Sequence, residues 1–270
     1  MSRCFVIGSP IAHSRSPLIH RLFAEQHNMS LCYEKREVAA NGVAQALAEF
    51  RAAGVRGVNV TLPIKEEACQ LADILYPRAA SAEAANTLWF DDAGRIHADN
   101  TDGYGLMADL ERLGITLQGA SVLLLGAGGA ARGVLGELVA AQPARLVLMN
   151  RTLARAEQLA ARYELECLTP DVHLPQAFDL VINATSIGLG ANREISLHPS
   201  AVAPRTACYD MVYGRGETAF LQWAAARGAN QRHDGLGMLV AQAAEAFRLW
   251  HGVSVATPPV IDFVRKRLLG

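Results

Sequence analysis

The apolar run Val122-Leu123-Leu124-Leu125 passes directly into Gly126-Ala127-Gly128-Gly129-Ala130-Ala131, and this junction constrains the fold more than any other segment. Large aliphatic residues in succession suit a strand covered on both faces. A glycine pair straight after it marks a tight turn into a helix. The spacing is GxGxxA. In a strand–turn–helix unit the first glycine permits the turn, the second lets the backbone approach a pyrophosphate, and the small Ala131 lets helix pack on sheet. Unpaired N–H groups and the dipole at the helix start favour phosphates. Gly126, Ala127, Gly128, Gly129 and Ala130 are therefore the expected phosphate cradle of a Rossmann-type domain. As a bare string the pattern also arises from structural glycines; the strand before it favours the dinucleotide.

The following strand bears on the cofactor subtype. A site for NAD places Asp or Glu near the end of that strand, on the ribose 2′-hydroxyl. Here the strand ends Met149-Asn150-Arg151-Thr152, so Asn150 stands where the carboxylate would be, 24 residues after Gly126. Arg151 and Arg155 are four apart and can face one anion, which points to a 2′-phosphate and hence NADP. Two solvated arginines would be the plainer reading. Cations at a helix start are unfavourable, however, unless an anion is present.

Elsewhere short apolar runs alternate with helical periodicity. Strands are expected at Arg3–Ile7, Cys32–Val38, Gly57–Val60, Ser121–Leu125, Arg145–Met149, Asp179–Asn183 and Ala207–Asp210, and a hairpin joins Thr87–Phe90 to Arg95–Ala98. Helices are expected at Pro17–His27, Asn41–Ala53, Ile64–Leu71, Gly103–Leu113, Gly129–Ala141, Leu153–Tyr163, Glu217–Arg227, Met238–Trp250 and Pro259–Leu268. Leu165–Phe178 and Leu189–Ala203 read as connecting loops. The pattern implies α/β architecture with parallel sheets in both halves, meeting near Thr101–Gly114 and Asp234–Trp250 around a small-molecule cleft.

Composition narrows the partners. The 270 residues carry 25 Lys plus Arg against 26 Asp plus Glu, a formal net charge of −1 that gives no bulk field for nucleic acid or anionic lipid. No apolar stretch approaches the ~18 residues of a membrane span. The five cysteines are scattered without a CxxC pair, and the histidines form no HxxxH or HExxH pattern, so neither a disulfide scaffold nor a metal site is expected and a reducing, cytoplasmic setting fits.

The first half holds the candidate substrate groups. Ser16 at the N-cap and Pro17 after it make a helix start that explains both residues, yet a second hydroxyl at Ser14 also makes that helix end a carboxylate pocket. In Asn59-Val60-Thr61-Leu62-Pro63-Ile64-Lys65, alternation puts Asn59 and Thr61 on one side. Lys65 falls in a first helical turn, where the dipole disfavours a cation. That suits a proton-transfer residue, and equally a surface lysine balanced by Glu66 and Glu67. Asp102 reads either as a helix N-cap or as a carboxylate holding a lysine or a substrate hydroxyl. Gln242, mid-helix among small apolar residues, needs a polar partner.

Together these segments resemble the shikimate dehydrogenase family. The likeness runs in order through Gly8–Pro17, Asn59–Glu67, Ala85–Leu88, Asp99–Gly103, Gly126–Ala130, Asn150–Thr152, Asn183–Ser186, Tyr209–Tyr213 and Asp234–Gln242. It implies NADP-dependent interconversion of 3-dehydroshikimate and shikimate, with Lys65 and Asp102 as the catalytic pair. Ser14, Ser16 and Tyr213 would hold the carboxylate, and Asn59, Thr61, Asn86, Asp102 and Gln242 the hydroxyls. Asn150, Arg151, Thr152 and Arg155 would face the 2′-phosphate, and Met211, Gly235 and Met238 the nicotinamide. It further implies a substrate domain of residues 1–101 and 239–270, an NADP domain of residues 102–238, C-terminal helices returning to the first domain, and a monomer or homodimer.

Ser9, Leu62, Ile64, Pro77 and Gly214-Arg215 depart from the family's usual residues without removing a matched catalytic group. They leave room for a paralogue acting on quinate or an aminoshikimate. A non-catalytic NADP-sensing module is the alternative from another class, and the retention of both Lys65 and Asp102 argues against it.

Overall fold

Strand and helix alternate through β1 (Ser2–Gly8), α1 (Ser16–Gln26), β2 (Leu31–Glu37), α2 (Val43–Ala52), β3 (Gly57–Val60), α3 (Lys65–Gln70), β4 (Ile74–Leu75), α4 (Pro77–Ala82), β5 (Thr87–Phe90), β6 (Ile96–Asp99) and α5 (Asp102–Arg112). A second series follows: β7 (Ser121–Leu125), α6 (Gly129–Ala140), β8 (Arg145–Met149), α7 (Leu153–Ala160), β9 (Glu166–Leu168), β10 (Leu180–Asn183), β11 (Ala207–Asp210), α8 (Ala219–Ala225) and β12 (Gln231–Asp234). The chain closes with α9 (Leu236–His251) and α10 (Pro258–Leu269). The computed structural model describes residues 1–185 and 195–269. Ser186 and the start of the expected Leu189–Ala203 loop lie outside the described residues.

Two units result: Met1–Gly105 with Leu239–Val264, and Leu106–Met238 with Arg265–Gly270. The break falls within α5, and residues 265–270 go with the second unit, whereas the sequence places them with the first. Arg265 explains the difference, since its guanidinium pairs with the Asp234 carboxylate at the end of β12.

The first unit's sheet runs β2-β1-β3-β5-β6-β4. It is mixed, not parallel as expected: β1 pairs parallel with β2 and β3, but β5 is antiparallel to both β3 and β6. The cause is the Thr87–Asp99 hairpin, in which the Asp91 carboxylate accepts from the N–H groups of Ala93 and Arg95 to close the turn. Phe5, Ile7, Val58, Val60 and Leu88 pack with Val43, Leu47 and Phe50 of α2. Near the end of α9 the Trp250 indole lies against β3, where a Cβ at Gly57 would come within 2.3 Å of its ring, and its Nε1 donates to the Leu88 carbonyl at 3.1 Å.

The second sheet runs β12-β11-β10-β7-β8-β9, and its pairs are parallel. That is the doubly wound dinucleotide-binding order. Alternate residues feed two cores: Val122, Leu124, Leu146, Leu148 and Ile182 on one face, Leu123, Leu125, Val147, Met149 and Val181 on the other. Burial on both faces is why these strands read as unbroken apolar runs. The edge strands β4, β9 and β12, all short or polar, were not expected as elements.

His20 on α1 is buried with its ring centroid 4.4 Å from that of Tyr33 and 5.3 Å from that of Trp250, and neither ring nitrogen has a hydrogen-bond partner among the described residues. Desolvation, reinforced by His251, lowers its pKa to about 3. The folded chain keeps this ring neutral, while the unfolded chain protonates it below the ordinary histidine value. Stability is therefore lost as pH falls from 6.5 towards 3. We expect the urea stability of the wild type to fall by roughly 2–3 kcal/mol more than that of His20→Phe between pH 7 and 4.5; parallel curves would contradict this.

Candidate active site

The turn from β3 into α3 and the hairpin β5–β6 bring four polar segments of the first unit together. Lys65 is the first residue of α3, and its Nζ donates to Asp102 Oδ2 at 2.6 Å. Neither neighbouring glutamate competes: Glu67 accepts from the N–H groups of Asn41 and Val43 at 2.8 and 3.0 Å, capping α2, and Glu66 is exposed. Asp102 opens α5, but its carboxylate is not spent on the helix end. Its own N–H donates to Asn100 Oδ1 at 3.0 Å, which leaves both carboxylate oxygens for side chains. The second oxygen accepts from Asn86 Nδ2 at 2.8 Å.

Asn86 is the hub. Its Oδ1 accepts from the Thr101 N–H at 2.8 Å and from the Thr87 hydroxyl at 2.8 Å. Gln242 Oε1 on α9 lies 3.4 Å from Asn86 Nδ2 and accepts from the Thr101 hydroxyl at 3.3 Å, which supplies the partner that its sequence position demanded. Asn59 donates to the Asn86 carbonyl at 3.2 Å. Thr61 lies just past β3, partly exposed, with its N–H on the Ile7 carbonyl. A second layer braces the network: Arg78 binds both Asp99, next to Asn100, and Glu245, three residues after Gln242. Asp99 and Glu245 are each at most 4% exposed, so this pairing is fully charge-assisted.

Ser14 and Ser16 adjoin each other, Ser14 Oγ donating to Ser16 Oγ at 3.2 Å and accepting from the Ser16 N–H at 3.3 Å. The helix start differs from expectation. Arg15 is the N-cap and Ser16 the first helical residue, and no side-chain cap occupies the end.

In the second unit Gly126 has φ +112°, and a Cβ there would lie 2.9 Å from Thr185 Cγ2. At Gly128, the N-cap of α6, a Cβ would meet nothing within 4 Å, and no side chain caps the helix. The Gly126 N–H is held by the Met149 carbonyl at 2.7 Å, which fixes the turn, while the start of α6 carries no side-chain cap and has open space at Gly128, which fits a phosphate group. Asn150 Nδ2 donates to the Thr152 carbonyl at 2.8 Å, while Thr152 caps α7 by position only. Arg151 and Arg155 are exposed and without ion-pair partners among the described residues.

Met211 and Tyr213 follow β11, and Gly235 precedes α9, its N–H on the Val212 carbonyl at 3.2 Å. Met238 is buried in the second unit's core. Sequence reasoning gave no role to the group that sets this loop. Asp210 Oδ1 accepts from Asn183 Nδ2 at 3.0 Å and from the Val212 N–H at 3.1 Å, and Oδ2 accepts from the Thr218 hydroxyl. Thr87, Asn100 and Thr101 were likewise overlooked as network members; the only hint was their place beside Asn86 and Asp102. Among the described residues no cluster of His, Cys, Asp or Glu suits a metal, and no helix is long and apolar enough to cross a membrane.

Three family models match the chain: the shikimate dehydrogenase substrate binding domain over residues 6–88, shikimate / quinate 5-dehydrogenase over 109–192, and the shikimate 5′-dehydrogenase C-terminal domain over 235–265. A shikimate dehydrogenase (NADP(+)) of Acidovorax ebreus is 51% identical, across 96% of this chain and 94% of that one. An Ael1 enzyme from Pseudomonas putida superposes with a TM-score of 0.91 at 42% identity, covering 97% of this chain and 98% of that one. The shikimate 5-dehydrogenase of Thermus thermophilus, solved with NADP(H) and shikimate, does so with a TM-score of 0.89 at 36% identity, covering 100% of both chains.

Burial raises the pKa of Asp210 to about 6, outweighing its three hydrogen bonds. The folded chain thus holds a proton there that the unfolded chain releases near 3.8, and stability from this group is lost as pH rises from 3.8 through 6. We expect the stability of Asp210→Asn relative to the wild type to improve by up to about 3 kcal/mol between pH 3.5 and 7 in paired denaturation curves; no pH trend would refute the assignment.

Proposed function

The chain belongs to the shikimate dehydrogenase family, and on that premise we propose that it is an NADP-dependent oxidoreductase interconverting 3-dehydroshikimate and shikimate. The observation that carries the reading is the Lys65–Asp102 contact at 2.6 Å, with Asn86 on the second carboxylate oxygen. An ammonium held so closely is fixed in direction, and a neutral alcohol or ketone oxygen placed beside it gains a donor.

Bound NADP supplies the hydride acceptor for alcohol oxidation, and NADPH the donor for the reverse. The chain's own groups do the rest. Lys65 gives a proton to the carbonyl oxygen of the ketone as charge develops there, or takes one from the alcohol, and its positive charge stabilises the oxyanion. Asp102 orients Lys65 and accepts from a ring hydroxyl. Ser14 and Ser16 at the uncapped start of α1 take the carboxylate, Tyr213 adding to that pole, so that the ring presents one carbon for reaction. Asn59, Thr61, Asn86 and Gln242 form the hydroxyl-binding set. The Gly126–Ala130 cradle would hold the pyrophosphate. Asn150, Arg151, Thr152 and Arg155 would hold the 2′-phosphate, and Met211, Gly235 and Met238 the nicotinamide end. Two small molecules are the only partners this chemistry needs, so a monomer or a homodimer would serve. Five free thiols are consistent with a cytoplasmic setting.

An absorbance assay at 340 nm with shikimate and quinate against NADP and NAD tests the reading. Turnover is expected with shikimate and NADP; preference for quinate would mark a paralogue, and NADP binding without turnover on either acid a sensing module. Lys65→Ala should lower kcat by ~10²–10⁴ with a modest change in shikimate KM, and near-normal turnover would remove Lys65 from the chemistry. Arg151→Ala should raise KM for NADP and leave NAD kinetics little changed; equal effects on both cofactors would refute the 2′-phosphate assignment.

A further inference from the structure

Tyr33 on β2 donates from its phenol to Asn59 Oδ1 at 2.7 Å. The orientation of Asn59 is not free. Its Nδ2 donates to the Asn86 carbonyl at 3.2 Å and to Thr87 Oγ1 at 3.3 Å. A carbonyl only accepts, so the amide nitrogen must face Asn86 and the amide oxygen must face Tyr33. Burial raises the phenol pKa well above its ordinary value, so the group stays a donor. Both Nδ2 hydrogens and one Oδ1 lone pair are thereby used. What Asn59 can still offer a ligand is one acceptor site.

The phenol ring is clamped. His20, four residues after Ser16 on α1, stacks on it at 4.4 Å and 19°, and His20 in turn stacks on Trp250 at 5.3 Å and 25°. Two unpartnered imidazole nitrogens in a buried ring are unfavourable for stability. Their position against the phenol ring associates that cost with holding Tyr33 in place.

We propose that Tyr33 is a positioning residue for the substrate: it holds Asn59 as an acceptor for a ring hydroxyl. The proposal rests on the shikimate reading above. It makes the preference for a polyhydroxylated ring acid depend on a residue that need not touch the ligand.

Tyr33→Phe keeps the ring and its stacking and removes only the oxygen. Shikimate KM should rise about tenfold, with kcat and NADP KM within about twofold of wild type. Asn59→Ala should raise shikimate KM similarly, and adding Tyr33→Phe to it should cost less than about twofold more, because Tyr33 acts through Asn59. An unmoved shikimate KM, a shift in kcat and NADP KM alongside it, or full multiplication of the two penalties would overturn the proposal. If Tyr33→Phe fails to fold, the Asn59→Ala arm decides, since an unchanged shikimate KM there removes the residue through which Tyr33 is said to act. A wild type that turns over NADP with shikimate but shows those results sinks this inference alone; a wild type inactive on shikimate sinks the reading beneath it.

Discussion

The Asp102 carboxylate carries two donors, Lys65 Nζ on one oxygen and Asn86 Nδ2 on the other, and the rest of the first unit is arranged so that both can reach it. The antiparallel pairing of Thr87 with Asp99 sets Asn86 beside the Asn100–Asp102 segment, and the β3–α3 turn delivers Lys65 to the same place. Each buried polar group in the network has a partner: Asn86 Oδ1 the Thr101 N–H, Asn100 Nδ2 the Ala84 carbonyl. A half-satisfied buried network would be worse than an apolar one, so this degree of completion fixes one geometry for the ammonium. Beneath it, Arg78 joins Asp99 to Glu245 and so ties the strand that precedes Asp102 to the helix that carries Gln242.

The second unit solves a different problem with the same economy of polar groups. Its strands are apolar on both faces, so ligand-facing chemistry is confined to loops at their carboxyl ends. Gly126 and Thr185 approach each other at the point where strand order reverses, between β7 and β10. Asp210 ties the end of β10, the segment after β11 and the start of α8 together through a single carboxylate. A loop braced in this way is set before any ligand arrives, which lowers the ordering cost of binding.

Legibility in the sequence followed local physics. The β7–α6 unit was readable because four aliphatic residues and a glycine pair leave few alternatives, and its observed bounds differ from expectation by one residue. The Thr87–Asp99 hairpin was readable from its turn residues. The mixed character of the first sheet was not, because direction in a sheet depends on which neighbour a strand finds. The β12 strand, Gln-Arg-His-Asp, carries no apolar signal at all; it is a strand only because it completes the sheet edge beside β11. Tyr33 looked like any aromatic strand residue, and its partner Asn59 lies 26 positions away.

By itself the sequence determined the residue types of the candidate site: a lysine in a first helical turn, an acid before a helix, a glycine-rich turn, and an asparagine in the place of the NAD-type carboxylate with two arginines after it. These are matters of local chemistry and spacing, which a chain carries wherever it goes. Tertiary structure alone decided which of two roles each took. Lys65 answers to Asp102 and not to its neighbouring glutamates, and Asp102 leaves its helix end to Asn100, because sheet pairing brings partners 16 and 37 residues apart within hydrogen-bonding distance. Contacts of that span depend on the whole sheet being formed, and no local pattern encodes them.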